Sequence, residues 1–175
     1  MDSNRWAKAR GWLRRACTLP LAAVLWSVAP VAWSQASSDV PANRWVFQTS
    51  VYTRHFSYDP RHNDHQALMD LEYWREDNWL AGASWFRNSF KQPTQYLYVG
   101  KLWRPFDTQP QVYVKLTGGV IHGYKDEFRD KIPFNKSGYA PGIIPSIGYS
   151  GRRFTGEFVL FGTSGVMFTF GVFLN

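Results

Sequence analysis

Residues 154–174 alternate between apolar and polar side chains, and this pattern constrains the fold more than any other feature. Phe154, Phe158 and Leu160 lie on one parity, whereas Thr155 and Glu157 lie on the other. After a turn at 162–165, the apolar spacing resumes with Val166, Phe168, Phe170, Val172 and Leu174. Because successive side chains of a strand point to opposite faces, the segment predicts a β-hairpin with one apolar face and one mixed face.

The first 34 residues have the three parts of a secretory signal peptide. An apolar stretch at 16–33 and the small residues around Ser34 follow a basic start, which comprises Arg5, Lys8, Arg10, Arg14 and Arg15. We predict export and cleavage near Ser34, which leaves a polar leader at 35–42 and one domain at 43–175. The alternative is an uncleaved anchor, although Pro20 and Pro30 interrupt its apolar stretch.

Loss of the signal peptide changes both the charge and the cysteine content. The chain has 20 basic and 13 acidic residues, and residues 1–34 contain five of the basic ones and one acidic residue, which leaves 15 against 12, or +3. The single cysteine, Cys17, is also lost, so no disulfide is expected. This modest charge, together with the lack of any nucleic-acid motif, argues against nucleic acid as a partner.

An exported chain of this composition is typical of a membrane barrel. No segment after the signal offers the roughly 18 consecutive apolar residues that a spanning helix needs, yet aromatic residues make up 18% of the chain. Since open sheet edges are not tolerated in hydrocarbon, strands span a membrane only as a closed barrel. We therefore predict an all-β, eight-stranded antiparallel transmembrane β-barrel, monomeric and in the outer membrane of a Gram-negative bacterium. The alternative is a soluble periplasmic β-sandwich or lipocalin-like barrel.

Alternation and turn residues predict the positions of the eight strands. Asp70 and Glu72 in the second strand are expected to face the lumen. The set expected to face lipid comprises Met69, Leu71, Val112, Val114, Leu116, Phe158, Phe168 and Phe170. The predicted strands are 43–56, 66–75, 79–87, 94–103, 111–124, a sixth after the proline-rich stretch 133–145, and the two of the terminal hairpin. Loops at 57–65, 88–93, 125–141 and 162–165 are expected on the outer side, with both termini in the periplasm.

Polar side chains of catalytic type converge on one rim of the predicted barrel. Thr53 and His55 share a face near the end of the first strand, and Asn88 and Ser89 end the third. A serine beside a histidine can act as an activated nucleophile when a third group orients the imidazole. Rim residues are also polar simply because they meet water and lipid headgroups, and the sequence leaves both interpretations open.

Three runs of residues occur in order along the chain: 52–59 (YTRHFSYD), 86–89 (FRNS) and 141–149 (PGIIPSIGY). Together they resemble the lipid A palmitoyltransferase family, PagP. In that family the first strand carries a histidine before an R-F-x-Y-D run, the third strand ends F-x-D-S, and a late strand reads P-x-x-S-x-G-Y. The resemblance extends from about residue 45 to the end of the chain. It implies an eight-stranded barrel that holds one acyl chain, with the active residues at the outer rim.

The resemblance places the family's serine at Ser89, its aspartate at Asn88 and its histidine at Thr53. His55 lies two residues further along the same face, about 6.5–7 Å away. An Asp-to-Asn change in a serine-hydrolase triad costs about 10⁴ in rate. We therefore expect a lipid-binding or envelope-modifying barrel with an incomplete catalytic set, no cofactor, and lipopolysaccharide and phospholipid as partners. The rival is an enzyme that moves an acyl chain from phospholipid to lipid A, with Ser89 and His55 as the working pair.

A second resemblance concerns the runs 88–93 (NSFKQP) and 141–145 (PGIIP), which are similar to chains labelled sn-glycerol-3-phosphate transporter. It implies a small-solute transporter. An eight-stranded barrel is filled by side chains or holds one small ligand, so an open solute channel is not expected.

Two polar segments have simpler interpretations. His62, Asp64 and His65 have ligand chemistry but no evident fourth ligand, so no metal is predicted. The charge run at 125–131 predicts an exposed loop, and the alternative is that it bridges the phosphates of lipopolysaccharide.

Overall fold

The computed structural model of the protein describes residues 43–57, 63 and 66–174. These residues form eight antiparallel strands that close into one barrel, in which each strand pairs with its neighbours in sequence and the last pairs with the first. The strands are β1 (Arg44–His55), β2 (Met69–Trp74), β3 (Trp79–Arg87), β4 (Pro93–Trp103), β5 (Val112–His122), β6 (Tyr139–Ser150), β7 (Phe154–Leu160) and β8 (Gly165–Leu174). The predicted eight-stranded, all-β fold is confirmed. The predicted signal peptide, the leader and the motif with His62, Asp64 and His65 lie outside the described residues.

The two ends of the barrel differ in their connections. At one end, here called the turn end, β1 begins, β8 ends, and the connections 75–78, 104–111 and 151–153 join pairs of strands. The other end, here called the loop end, carries the segments that follow β1, β3, β5 and β7. The predicted charge-run loop contains a 3-10 helix, Asp126–Lys131, none of whose residues is buried. No helix within the described ranges is long and apolar enough to cross a membrane.

Side chains alternate between the outside of the barrel and its lumen. In β8, Met167 and Thr169 are buried inside, whereas Phe170 is 42% exposed on the outside. Asp70 and Glu72 are buried in the lumen, as predicted. The whole set predicted to face lipid lies on the outward parity of its strands, which comprises Met69, Leu71, Val112, Val114, Leu116, Phe158, Phe168 and Phe170.

The turn-end half of the lumen is filled by an apolar cluster. Its central residue is Trp74, which meets Tyr113 and Phe173 edge-on at ring-centroid distances of 5.2 Å and 5.3 Å. Val46 and Leu102 are buried in the same cluster. Aromatic pairs in this geometry add to the stabilisation that burial alone supplies, so this half of the lumen is a packed core.

A β-bulge at Val51 reverses the inward parity of β1. Before it, Val46 and Gln48 are buried; after it, Thr53 is buried and His55 is half-buried. The register shows the cause, because Ser50 pairs with Thr169 and Tyr52 pairs with the preceding residue of β8, Phe168. One extra residue in a strand turns all later side chains to the other face. The bulge therefore directs Thr53 and His55 into the barrel.

The predicted start of the sixth strand is wrong. Strand β6 begins at Tyr139 and includes Pro141 and Pro145, which pair with Val120 and Leu116 of β5. Proline is rare inside strands because it cannot donate a ladder hydrogen bond. Here β7 pairs only with Ser146–Ser150, so both prolines lie where the described part of β7 provides no partner.

Two other predicted boundaries also differ from the structure. Strand β2 starts at Met69 rather than near 66. The loop predicted at 88–93 is a tight turn, because the amide of Lys91 donates to the carbonyl of Asn88 at 2.9 Å and Pro93 already belongs to β4.

Candidate functional site

Ser89 and His55 meet at the loop end of the barrel. Ser89 lies in the turn between β3 and β4, and His55 is the last residue of β1. The distance between His55 Nε2 and Ser89 Oγ is 2.9 Å, and both residues are half-buried. A neutral imidazole with its proton on Nδ1 accepts the serine proton in this geometry, which is the arrangement of a nucleophile with its general base.

Asn88 is the structural centre of the turn that carries Ser89. Its side chain is 1% exposed. Its Oδ1 accepts hydrogen bonds from the backbone amides of Phe90 at 2.9 Å and Gln92 at 3.0 Å. Asparagine and aspartate favour turns because their side chains accept such bonds from residues further along the chain. The sequence predicted Asn88 as a weakened orienter of the histidine, whereas its oxygen is used to build the turn.

Thr53, at the position that the resemblance gives to a histidine, is a buried wall residue. It is 4% exposed and pairs with Met167 of β8. Its hydroxyl has no hydrogen-bond partner within the described ranges. The structure thus brings Ser89 to His55, the histidine that lies two residues beyond Thr53.

The backbone of the serine turn is held on one side by the segment before β2. The amide of Asn63 donates to the carbonyl of Ser89 at 2.7 Å, and Asn63 Nδ2 donates to the carbonyl of Asn88 at 3.4 Å. Gln66 Nε2 in turn donates to the carbonyl of Asn63 at 2.9 Å. This clamp was not predicted, because neither residue belongs to a recognisable motif.

The loop between β5 and β6 holds the serine turn on its other side. Phe90 stacks on Phe128 of the 3-10 helix with ring centroids 4.1 Å apart, and it meets Tyr124 edge-on at 6.4 Å. Gln92 and Lys125 exchange two hydrogen bonds through the amide group of Gln92 and the backbone of Lys125. Burial raises the pKa of Tyr124 to about 12, so its hydroxyl stays protonated at neutral pH. The turn that carries Ser89 is thus held by contacts on both of its sides.

A narrow cavity of about 70 Å³ lies inside the loop-end half of the barrel. Apolar side chains form much of its wall and comprise Leu68, Phe86, Ile144, Val159, Phe161 and Met167. Gln48, Asp70, Lys115 and Glu157 also line it. Since a water needs about 10–15 Å³ by the same measure, the space is several waters in volume.

Charged groups separate this cavity from the apolar cluster at the turn end. Lys115 Nζ lies 2.8 Å from carboxylate oxygens of both Glu72 and Glu157. The hydroxyl of Tyr98 lies 2.7 Å from carboxylate oxygens of both Asp70 and Glu72 and donates to them. Together with Gln48 these residues form what we call the polar layer. Its members are buried and hydrogen-bonded to one another, which is the condition for burying charge without a large penalty.

The barrel wall is incompletely paired on two sides of the loop-end half. Strand β1 pairs with β2 only from Arg44 to Thr49, although β1 continues to His55. Strand β6 pairs with β7 only from Ser146 to Ser150, although β6 begins at Tyr139. Among the described residues, no backbone ladder closes these two stretches. Both lie at the level of the cavity and the rim.

The fold and the rim define a closed eight-stranded β-barrel with a plugged lumen and a serine–histidine contact at one end. In the described ranges, no group of three His, Cys, Asp or Glu residues is placed to hold a metal ion.

No protein-family model and no curated protein matches the chain. Among solved structures, it is similar to the N-terminal β-barrel domain of Pseudomonas aeruginosa OprF, with 11% identity, a TM-score of 0.43, and coverage of 75% of this chain and 96% of that one. It is also similar to the Yersinia pestis outer membrane protein Ail, whose structure is in a phospholipid bilayer nanodisc, with 12% identity, a TM-score of 0.42, and coverage of 75% and 99%. The resemblance to the PagP family stays a prediction.

Proposed function

We propose that this barrel spans the outer membrane and takes an acyl chain of an envelope lipid into the loop-end half of its lumen. The observation that carries the proposal is the narrow, largely apolar cavity that ends on the polar layer. The contact between Ser89 and His55 lies at the same end of the barrel as this cavity. An amphipathic ligand, with a polar ester group and a slim apolar tail, matches both parts of this site.

The outside of the barrel supports a membrane location. Ile143 is 76% and Leu97 is 70% exposed. Exposure of such large apolar side chains is unfavourable in water but normal against hydrocarbon. Exposed aromatic residues lie towards the strand ends, with Trp45, Trp79 and Trp103 at the turn end and Tyr52, Trp85 and Tyr139 at the loop end. Outer-membrane barrels carry aromatic girdles at these two levels. The alternative of a soluble lipocalin-like barrel leaves this exterior unexplained.

The unpaired stretches of the wall support a lipid as the ligand. A lipid in the membrane plane reaches a barrel lumen only through the wall or over the rim. The free edge of β6 at Pro141 and Pro145 has fewer backbone donors to satisfy, so leaving this edge unpaired costs little. The ligand proposed here is therefore a membrane lipid, either phospholipid or lipopolysaccharide, and not a solute from the aqueous phase.

The filled lumen argues against the transporter alternative. A solute crossing the barrel would have to pass both the polar layer and the apolar cluster around Trp74, which is 0% exposed. Such packed barrels contain side chains or one small ligand and lack an aqueous channel.

Substitution of Ile144 by tryptophan tests the cavity as the acyl site. Ile144 lines the cavity, so the larger ring is expected to fill it and to lower the affinity for radiolabelled palmitic acid at least tenfold, measured by equilibrium binding to amphipol-held protein. The control is Ile143→Trp on the adjacent, outward residue, which should bind as the unmodified protein does. Equal binding by folded Ile144→Trp protein contradicts the proposal.

A second candidate function is acyl-ester cleavage or transfer by Ser89, and the 2.9 Å contact with His55 specifically favours it. In this reaction Ser89 attacks the ester carbonyl of a bound lipid while His55 takes the serine proton. The acyl group then passes from Ser89 to water or to a hydroxyl of a second lipid. Positioned general bases contribute about 10²–10⁴ to such rates.

Two single substitutions test this candidate. We expect Ser89→Ala to abolish hydrolysis of p-nitrophenyl octanoate in detergent micelles, and His55→Gln to lower kcat by about 10²–10⁴. Ser164→Ala is the matched control, because Ser164 is an exposed serine in a different loop at the same end. Hydrolysis that survives Ser89→Ala would assign the activity to another group and remove this candidate.

A further inference from the structure

The side-chain amide of Asn88 is hydrogen-bonded through its oxygen but, within the described residues, not through its nitrogen. Its Oδ1 accepts from two backbone amides, at 2.9 Å and 3.0 Å. Because only the oxygen of an amide can accept, these two bonds fix which end is oxygen and which is nitrogen. The Nδ2 group must therefore point away from the turn backbone.

The Nδ2 group of Asn88 is a buried hydrogen-bond donor. Asn88 is 1% exposed, and its Nδ2 has no acceptor in the part of the chain that the structure describes. Almost all buried polar atoms in proteins find a partner, and one that does not calls for a specific explanation such as a catalytic role. An acceptor that is present only when a ligand binds is one such explanation.

The position of this donor relates it to Ser89. The two residues are consecutive in one tight turn, and Ser89 Oγ already contacts His55 Nε2. The clamp from Asn63 and the stack of Phe90 on Phe128 hold the turn on both sides. A donor held in this way needs little reorganisation when charge develops beside it, which is the property that makes such donors effective in catalysis.

We propose that Asn88 Nδ2 is the donor that stabilises the oxyanion formed when Ser89 attacks an acyl ester. This inference rests on the second candidate function. In this role Asn88 does not replace a lost acid. Its amide is used because it donates a hydrogen bond, whereas a carboxylate in its place would repel the developing negative charge.

The bond between Ser89 Oγ and the carbonyl carbon forms, the serine proton moves to His55 Nε2, and the carbonyl π pair becomes the lone pair of an oxyanion that accepts from Asn88 Nδ2. When the carbonyl re-forms, the bond to the leaving oxygen breaks, and that oxygen takes the proton from His55. The product is an acyl ester on Ser89 and a free alcohol. No oxidant, metal or further reactant is required until water or a second hydroxyl accepts the acyl group.

Asn88→Asp is the decisive variant, because it keeps an oxygen for both backbone amides and replaces only the donating nitrogen. We expect kcat for p-nitrophenyl octanoate to fall about 10²–10³-fold at pH 8, while affinity for palmitic acid changes less than twofold. Ser164→Ala is again the control, since Ser164 is exposed in a different loop at the same end of the barrel. It should retain kcat. If Asn88→Asp fails to fold, Asn88→Ser supplies a shorter acceptor for the turn, lacks the reach of the amide, and should show the same loss of kcat.

These measurements test the role of Asn88 separately from the enzyme candidate and from lipid binding. Unchanged or increased kcat in folded Asn88→Asp protein, or an equal loss in Ser164→Ala, would overturn the role of Asn88 and leave Ser89 and His55 in place. A lack of Ser89-dependent hydrolysis in the unmodified protein would overturn the enzyme candidate and this inference together. Palmitic acid binding, measured in the same samples, reports on the lipid-binding proposal independently of both.

Discussion

Replacement of Lys115 by methionine is expected to destabilise the barrel by about 3–5 kcal/mol. The lysine is 5% exposed, and its ammonium group lies 2.8 Å from Glu72 and from Glu157, each of which is 1% exposed. Without the cation, two buried carboxylates and the nearby Asp70 remain in a space from which water is largely excluded. The measurement is the urea midpoint of the folded band in semi-native electrophoresis, with the protein in lipid vesicles.

The control for this substitution removes the charges of the polar layer together. Lys115→Met combined with Glu72→Gln, Glu157→Gln and Asp70→Asn leaves no unpaired ion in the layer, and such replacements of buried ion pairs are often close to neutral. We therefore expect the quadruple variant to recover most of the loss. If Lys115→Met alone is as stable as the unmodified protein, the polar layer is not an ion-pair network in the folded barrel.

Replacement of Gly119 by alanine is expected to destabilise the barrel by about 3 kcal/mol or more. A Cβ added at Gly119 would overlap the carbonyl oxygen of Leu97 and would lie 2.7 Å from Cα of Tyr98. Both obstacles are backbone or wall atoms of the paired strand β4, so they cannot move aside as a side-chain tip does. The strands must separate locally, and the same urea titration measures the cost.

The adjacent glycine provides the control for Gly119→Ala. A Cβ at Gly118, on the outward face of the same strand, would meet nothing within 4 Å. Gly118→Ala should therefore be neutral or stabilising by up to about 1 kcal/mol, because alanine has less conformational freedom to lose on folding. Equal effects at the two positions would show that backbone freedom, and not the close approach of β4, determines the result.

The parts of the fold that depend on alternation could be predicted from the sequence. Phe158 and Phe170 lie outside while Glu157 and Thr169 lie inside, because a period of two has only two possible faces. The charged residues Asp70 and Glu72 identify which face is the lumen. Strand number follows from the same pattern, since each alternating run is bounded by turn residues.

The parts that depend on pairing could not be predicted. The bulge at Val51 leaves no mark in the alternation, since exposed Val51 and Tyr52 are as compatible with one register as with the other. The prolines of β6 are misleading for a related reason. Whether a strand tolerates Pro141 depends on the length of its neighbour β7, which local sequence does not reveal.

The candidate site was predicted in its members but not in its geometry. Face sharing and strand ends were sufficient to bring His55 and Ser89 to one rim. The contacts of Asn88 could not be predicted, because an asparagine that caps a turn and one that orients a histidine look the same in sequence. The two cases differ in the direction of the asparagine side-chain amide, which in Asn88 is set by the backbone amides of Phe90 and Gln92.

The polar layer makes the lumen a blind-ended chamber, and this has a consequence for the order of events. Whatever enters beside Ser89 cannot leave past Lys115 and Trp74, so arrival and departure share one route. Two acyl chains cannot pass each other in a chamber of about 70 Å³. In the proposed acyl transfer, donor and acceptor lipids would therefore visit in turn, which predicts parallel lines in a double-reciprocal plot of the transfer rate. An excess of either lipid should then inhibit by occupying the shared route.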